Sequence, residues 1–466
     1  MRLKYDLICL GTGPAASTVA TTCAKQGWTV AVVESCQFGG TCALRGCNPK
    51  KVFTNAAALV EQFQGANGRL TRGNDIRIEW SDLVAFQHEF TNPVRELTED
   101  KLQKLGIETF HGLAQFDGKR VIRVDETLLE AAHIFIGVGA RPVPLQIPGE
   151  ELVVTSDDFM ELPSLPSQVL FLGGGYISFE FAHAAVRAGS TVKIIDRHAL
   201  PLHSFDPDLV RLLVQCSEAA GMEILTESEA SSIEQSDGRL VVIINTGVGQ
   251  KLLSADLVVH GGGRVANLDG MNLEAGQVAY GRRGVTVNAF LQSTTNPAVY
   301  AAGDCADTGV QMLTPTAQES GRIAAVNILA SRQSKSVNSA QGDPADRLKQ
   351  KADYGSVPQV VFSAPPLSAV GLSEAEARQR GFDLDVRYQD LSSKGEVRKL
   401  CGAAAGCKLI IDCQTDQLLG AHILGPHAED VINLFALAMR FHLTTANLKS
   451  TLFTYPTMTA EFCRML

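Results

Sequence analysis

The 466-residue sequence lacks any surplus of positive charge: 41 Lys and Arg stand against 50 Asp and Glu, for a net charge of −9. Composition therefore gives no case for nucleic acid or an anionic membrane surface as a partner. There is no apolar run of membrane-spanning length, and Met1-Arg2-Leu3-Lys4-Tyr5 leads straight into a strand rather than into a signal peptide. A cytoplasmic protein is the expectation. Metal spacing is missing too, because no Cys/His cluster supplies four ligands at short intervals. Nor do eleven cysteines in a chain of this length make a disulfide scaffold; Cys9 and Cys23 lie in apolar runs and read as inert core thiols. What remains is an ordinary globular composition, 45% hydrophobic and 20% charged, in a chain long enough for several domains.

The chain does contain a repeat. Residues 6–10 read as a buried strand, Gly11-Thr12-Gly13-Pro14-Ala15-Ala16 as a turn into a helix running to Gly27, and Thr29 to Val33 as a strand ending in Glu34. The pattern returns 162 positions on, with a strand at 168–172, the turn Gly173-Gly174-Gly175-Tyr176-Ile177-Ser178, a helix to Gly189, and Thr191 to Ile195 ending in Asp196. Glycines allow a tight turn and the close approach of a pyrophosphate to a helix N-terminus, and the terminal acid accepts ribose hydroxyls. One such turn alone also serves plain strand-to-helix packing. Two copies in register, each with its acid at the same offset, point to two nucleotide sites.

The run from Gly39 to Lys51 carries Cys42 and Cys47, five apart. On a helix that is a little over one turn, so both sulfurs would share a face within bonding reach. The pair by itself reads as an exchangeable dithiol, as half a zinc site, or as incidental.

The full run, Gly39-Gly40-Thr41-Cys42-Ala43-Leu44-Arg45-Gly46-Cys47-Asn48-Pro49-Lys50-Lys51, closely resembles the redox-active motif of the flavoprotein disulfide reductases. That family includes glutathione reductase, dihydrolipoamide dehydrogenase and mercuric reductase, and the resemblance extends over nearly the whole chain. It implies an α/β fold with two Rossmann-like domains, for FAD and then NAD(P), plus a C-terminal α+β dimerisation domain in a homodimer. The implied segments are 1–148 and 266–335 for FAD, 149–265 for NAD(P), a polar linker at 336–352, and 353–466 for dimerisation. Within them, 54–105 read as helical, Phe110 to Phe116 and Arg120 to Asp125 as short strands, and 331–352 as polar linker sequence. Strands are expected at 358–363, 386–391, 407–412 and 418–424, a capping box at Ser373 and Glu376, and an apolar helix at about 428–441.

The resemblance also assigns residues. FAD contacts fall to Gly11, Gly13, Ala16, Glu34, Gly40, Thr41, Gly139, Gly303, Asp304 and Ala317. The strand ending in Gly303-Asp304 puts a carboxylate where ligands bind in open α/β sheets. Nicotinamide-cofactor contacts fall to Gly173, Gly175, Tyr176, Asp196, Arg197 and Gly263. Tyr176 matches the family's aromatic lid, or else packs the start of its helix. Asp196 would repel a 2′-phosphate, while Arg197 and His198 sit where NADPH-using members keep cations; NADH is the expectation. Hydride would pass from NAD(P)H to FAD and electrons on to Cys42–Cys47, with Cys47 on the flavin side and Cys42 facing the acceptor. Lys50 and Glu180 match an ion pair beside the flavin, or are two solvated charges.

The C-terminus departs from the family. Disulfide-reducing members carry a His, with a Glu five residues later, that shuttles the proton of the interchange thiol of the other subunit. Here those places hold Tyr455 and Ala460. A phenol titrates near ~10 against ~6.5 for imidazole and is a poor base at neutral pH. Mercuric reductase has a similar Tyr but also an adjacent terminal Cys pair, and this chain has only Cys463 there. Tyr455 therefore either serves a different chemistry or merely fills the pocket. The acceptor is left open: a disulfide, a metal ion or quinone that needs no such base, or none at all in a redox-sensing flavoprotein.

Overall fold

A computed structural model of the chain describes residues 2–73, 76–333, 349–402 and 404–466. They form two compact units, each discontinuous in sequence: Met1–Pro49, His88–Val143 and Arg264–Tyr354 in one; Lys50–Gln87, Pro144–Gly263 and Gly355–Leu466 in the other.

The first unit is built on parallel strands in the order Glu108–His111, Val30–Glu34, Arg2–Leu10, Thr127–Ile136 and Val299–Ala301. Leu7, Ile8, Cys9 and Leu10 are fully buried, as a parallel strand covered on both faces requires. The helices Pro14–Lys25 and Thr314–Gln333 pack backbone to backbone: a Cβ on Gly321 would lie 2.6 Å from the carbonyl oxygen of Ala15. The stretch expected as one strand over 110–116 is in fact split. Glu108–His111 pairs with Val30–Glu34, whereas Gln115–Gly118 pairs antiparallel with Val121–Val124. Gly112, at φ 138°, turns the chain between them while its N–H donates to the Glu34 carbonyl at 2.9 Å.

The second unit holds a parallel sheet in the order Met222–Leu225, Thr191–Ile195, Gln168–Leu172, Leu257–His260. An antiparallel sheet of Ser228–Ser236, Arg239–Thr246 and Gly249–Ala255 precedes its last strand in sequence. A five-stranded antiparallel sheet follows, ordered Gln359–Val361, Leu367–Gly371, Leu418–Leu424, Gly406–Asp412, Leu384–Asp390. The helix Ala428–Arg440 lays Val431, Ile432 and Phe435 into the same core as strands of that sheet. The capping box forms as expected: Glu376 N–H donates to the Ser373 hydroxyl at 3.2 Å, and Ser373 N–H to the Glu376 carboxylate at 2.9 Å. Of the expected linker sequence, residues 331–333 belong to the helix Thr314–Gln333, and 334–348 lie outside the described residues.

Candidate functional site

The first glycine turn closes on the sheet. Gly11 sits at φ 97°, and a Cβ there would lie 2.5 Å from the Gly137 carbonyl oxygen. Ala16 packs on Gly137 from the helix side, so only a small residue fits. Gly13 caps the helix Pro14–Lys25 with no side-chain hydrogen bond, and nothing lies within 4 Å of where its Cβ would be. No cap side chain therefore occupies the N-terminal amides of this helix, as an anionic ligand requires. The Glu34 carboxylate accepts from Thr12 N–H at 3.0 Å, the Thr12 hydroxyl at 2.6 Å and Cys36 N–H at 3.0 Å. At the end of Val299–Ala301, Gly303 has φ 75°, and its Cβ would sit 3.5 Å from that of Ala317. Burial raises the Asp304 carboxyl above its usual range, Arg264 opposes the shift, and a negative Cys47 would add to it. Gly139, at φ 69°, accepts from Asn267 N–H at 2.9 Å where the short strands Ala140–Pro142 and Arg264–Ala266 pair. An uncapped helix start, a strand-end acid at the ribose position and a second buried acid fit the pyrophosphate, ribose and ribityl chain of FAD.

The cysteine segment is docked against this turn. Gly40 has φ 71°, and a Cβ on it would lie 2.5 Å from Cα of Gly13, so glycine meets glycine. The two cysteines do not lie on one continuous helix. Cys42 is in Gly40–Arg45, Cys47 opens Cys47–Ala66, and Gly46 at φ −141°, ψ −124° separates them. A side chain at Gly46 would be 2.8 Å from the Thr41 carbonyl oxygen, so the break needs glycine. Cys42 is half-buried and Cys47 exposed, and both are thiols. What joins them is Thr314, the first residue of Thr314–Gln333. Its hydroxyl lies 3.1 Å from the Cys42 sulfur and 3.3 Å from that of Cys47. The sequence signal for Thr314 is slight: a hydroxyl preceding Pro315 at a helix start reads as a boundary residue. The Cys42 thiol is held well above its ordinary range, first by its hydrogen bond to Cys47 and then by burial, with Thr314 opposing. Cys47 is at a helix N-terminus, where a negative sulfur is favoured.

The second turn reproduces the main contacts of the first. A Cβ on Gly173, at φ 98°, would lie 2.6 Å from the Gly261 carbonyl oxygen, and Gly175 caps the helix Tyr176–Arg187 without a side-chain bond. Gly174 N–H donates to Asp196 at 2.5 Å, the counterpart of Thr12 to Glu34. Asp196 also accepts His198 N–H at 2.7 Å and faces the His198 ring nitrogen Nδ1 at 2.8 Å. Arg197 is largely exposed, 3.9 Å from Glu229, and Gly263 at φ 103° ends this segment of the unit.

Lys50 and Glu180 form an ion pair, and the Glu180 carboxylate is fully buried. It also accepts from Phe362 N–H at 2.9 Å. The Lys50 ammonium lies 4.8 Å from the centre of the Tyr176 ring, so Lys50, Glu180 and Tyr176 are brought together. Two solvated surface charges would look quite different. Truncating Lys50 to Met leaves a buried, uncompensated carboxylate, an effect on the order of 3–5 kcal/mol. Lys50→Met is expected to lower the thermal midpoint by several degrees and Glu180→Gln by less; equal midpoints for Lys50→Met and wild type in a thermal melt would contradict this.

Tyr455 is 65% exposed, and the Arg464 guanidinium lies 5.5 Å from its ring centre. Among the described residues no hydrogen bond ties it to another candidate residue. Arg464 in turn bridges the buried Glu461 at 2.6 Å. Cys463 is buried, which pushes its thiol up to about 12, so it stays protonated at neutral pH and is a poor terminal metal relay.

Residues 5–321 match the family model described as pyridine nucleotide-disulphide oxidoreductase, and residues 357–466 match that family's dimerisation domain. The chain is 30% identical to the glutathione reductase of Burkholderia cepacia, covering 99% of this chain and 98% of that one. It is 29% identical to the mercuric reductase of Staphylococcus aureus, covering 97% and 80%. Among solved structures it is similar to the HOCl-induced flavoprotein disulfide reductase RclA of Escherichia coli in its Cu(II) complex, with TM-score 0.83, 26% identity, and 99% and 98% of the two chains covered.

Proposed function

Because the chain belongs to the pyridine nucleotide-disulphide oxidoreductases, we propose that it is a homodimeric, NADH-preferring flavoprotein reductase whose Cys42 and Cys47 carry electrons to an external acceptor. The observation that carries this reading is the Thr314 hydroxyl within 3.3 Å of both sulfurs, on a segment docked glycine to glycine against the first nucleotide turn. When bound, FAD supplies the two-electron relay between NAD(P)H and a dithiol. For the segments, the proposal keeps 1–148, 149–265, 266–335, 336–352 and 353–466.

The residues divide the work. The uncapped amides after Gly13 and the acids Glu34 and Asp304 hold FAD; those after Gly175, with Asp196 and Arg197, hold the nicotinamide cofactor. Cys42 keeps the proton of the reduced pair and hydrogen-bonds Cys47, whose helix N-terminus favours the charge. Cys47 is then the flavin-side thiolate and Cys42 the thiol that meets the acceptor. Thr314 contacts either sulfur as charge moves between them. Lys50, fixed by buried Glu180 beneath Tyr176, supplies a positive charge one helical turn beyond Cys47.

A metal-ion acceptor is the second reading. It is favoured by Tyr455 and Ala460 in place of a base, and by the mercuric reductase and the Cu(II)-bound RclA among the similar proteins. Among the described residues no group of three or more His, Cys, Asp or Glu side chains is placed to hold a metal ion.

Anaerobic reduction tests the proposal. Full bleaching should consume four electrons per FAD, two of them taken by the disulfide, with two thiols appearing midway. Complete bleaching after two electrons would place the cysteines outside the circuit and end this reading.

A further inference from the structure

We propose that Glu61 and Arg187 are positioning residues for Lys50: their ion pair fixes the register of the helix Cys47–Ala66 against the helix Tyr176–Arg187, and so sets where the Lys50 ammonium stands during flavin reduction. The inference rests on the proposed function, in which Lys50 supplies positive charge one helical turn beyond Cys47.

The two helices are tied at two places. Near their starts Lys50 pairs with the fully buried Glu180. Near their ends Arg187 pairs with Glu61. Lys50 and Glu61 are eleven residues apart, about 16 Å along a helix, and Glu180 and Arg187 are seven apart, about 10 Å. Both pairs follow the same sense, so the helices run side by side in parallel. Between the ties Phe53 meets Phe181 edge to face, with ring centres 5.9 Å apart. Such apolar contact is non-directional and resists separation more than sliding. The Lys50 tie does not stop a slide either, because an ammonium on a flexible four-carbon stem can follow a moving partner.

The Arg187 tie is stiffer. Its side chain is 3% exposed, and its planar guanidinium also donates to the His183 carbonyl at 3.1 Å and to the His183 ring Nδ1 at 2.9 Å. Burial first, and the Arg187 charge second, hold the His183 imidazole neutral. Arginine can only donate, so Nδ1 accepts and the one ring proton sits on Nε2. It goes to the Ser217 hydroxyl at 3.2 Å, whose own proton goes to the Leu213 carbonyl at 2.8 Å. Arg187 is therefore anchored through His183 to the helix Pro207–Ala219 before it reaches Glu61. A helix is stiff along its axis, so a slide at Glu61 reaches Lys50 undiminished. A misplacement of about 1 Å can cost about a hundredfold in rate.

Stopped-flow reduction of the FAD-loaded protein by NADH, set beside thermal melting, tests this. Glu61→Gln should slow flavin reduction about tenfold at saturating NADH and leave the NADH Kd within about twofold. Glu61→Leu with Arg187→Met removes the tie without leaving a buried charge; it should melt close to wild type and be reduced as slowly as Glu61→Gln. Two cycles with Lys50→Met trace the route, since groups more than about 10 Å apart ordinarily act independently. On top of Lys50→Met, Glu61→Gln should slow reduction by less than about twofold. Lys50→Met should also lower the melting midpoint less in the Glu61→Gln protein than in wild type. A wild-type reduction rate in the Glu61→Leu, Arg187→Met protein overturns the inference and leaves the proposed function standing. So does a tenfold loss from Glu61→Gln that persists on top of Lys50→Met. Wild-type protein that neither NADH nor NADPH reduces overturns the function and the inference together.

Discussion

Replacing Cys47 with serine is expected to yield a protein that NAD(P)H still reduces but that passes almost nothing to a disulfide. The two sulfurs act as a unit: a disulfide needs both, and an alcohol cannot replace either in a thiol–disulfide cycle. The loss in turnover should therefore span several orders of magnitude for either cysteine, with no additivity in the double variant. Spectra separate the two roles. Cys47 opens a helix of 20 residues and is the sulfur favoured as an anion, while Cys42 holds the shared proton. Cys42→Ser should show the long-wavelength thiolate-to-flavin absorption without any reductant, and Cys47→Ser should lack it in every state. A Cys42→Ser protein that turned over at the wild-type rate would show that the acceptor takes its electrons elsewhere.

Much of this site is legible in the sequence because it depends on glycine. At Gly11 and Gly173 a Cβ would run into a carbonyl oxygen 2.5 and 2.6 Å away, so the fold writes the same residue at both places and the repeat is visible by eye. The strand-end acids are legible for the same reason, since each sits at a fixed offset and accepts an amide from its own turn. Capping leaves an equally local trace at Ser373 and Glu376. Long-range contacts leave much less. The sequence spacing of the cysteines suggests one helix, yet Gly46 breaks it, and the hydroxyl that joins the sulfurs comes from Thr314, more than 260 residues on. The antiparallel sheet of Ser228–Ser236, Arg239–Thr246 and Gly249–Ala255 is equally hard to see, because its strands are half exposed and carry no motif. By composition Lys50 and Glu180 look like ordinary surface charges, and only the family resemblance pairs them; in the structure Glu180 is fully buried against Lys50.

On the proposed reading, the C-terminus is expected to decide which acceptors are reduced quickly. Interchange between the Cys42 thiol and a substrate disulfide moves a proton: Cys42 must lose one to attack, and the departing substrate thiolate must gain one. The Cys42 thiol is held above its usual range, so it needs help to ionise. In the family that help comes from a His–Glu dyad of the other subunit, and here the two places are Tyr455 and Ala460. Tyr455 is 65% exposed beside the Arg464 guanidinium, with no carboxylate at position 460 to orient a base. General acid–base help is typically worth ~10²–10⁴ in rate. Wild type should therefore be reduced quickly by NADH yet turn over glutathione disulfide slower than that step by about this factor. A metal ion leaves no thiolate to protonate and releases the dithiol protons to solvent, and a quinone takes its two protons from solvent, so neither should suffer the same penalty. Tyr455→His with Ala460→Glu should recover part of the lost rate on the disulfide, with a pH profile that falls on the acid side as the new imidazole becomes protonated, and should leave the metal and quinone rates alone. Stopped-flow reduction set against steady-state turnover, in both proteins and with all three acceptors, measures each term. Brisk wild-type reduction of glutathione disulfide, unchanged in the double variant, would mean that a different residue serves as the base and that the tyrosine does not restrict the acceptor.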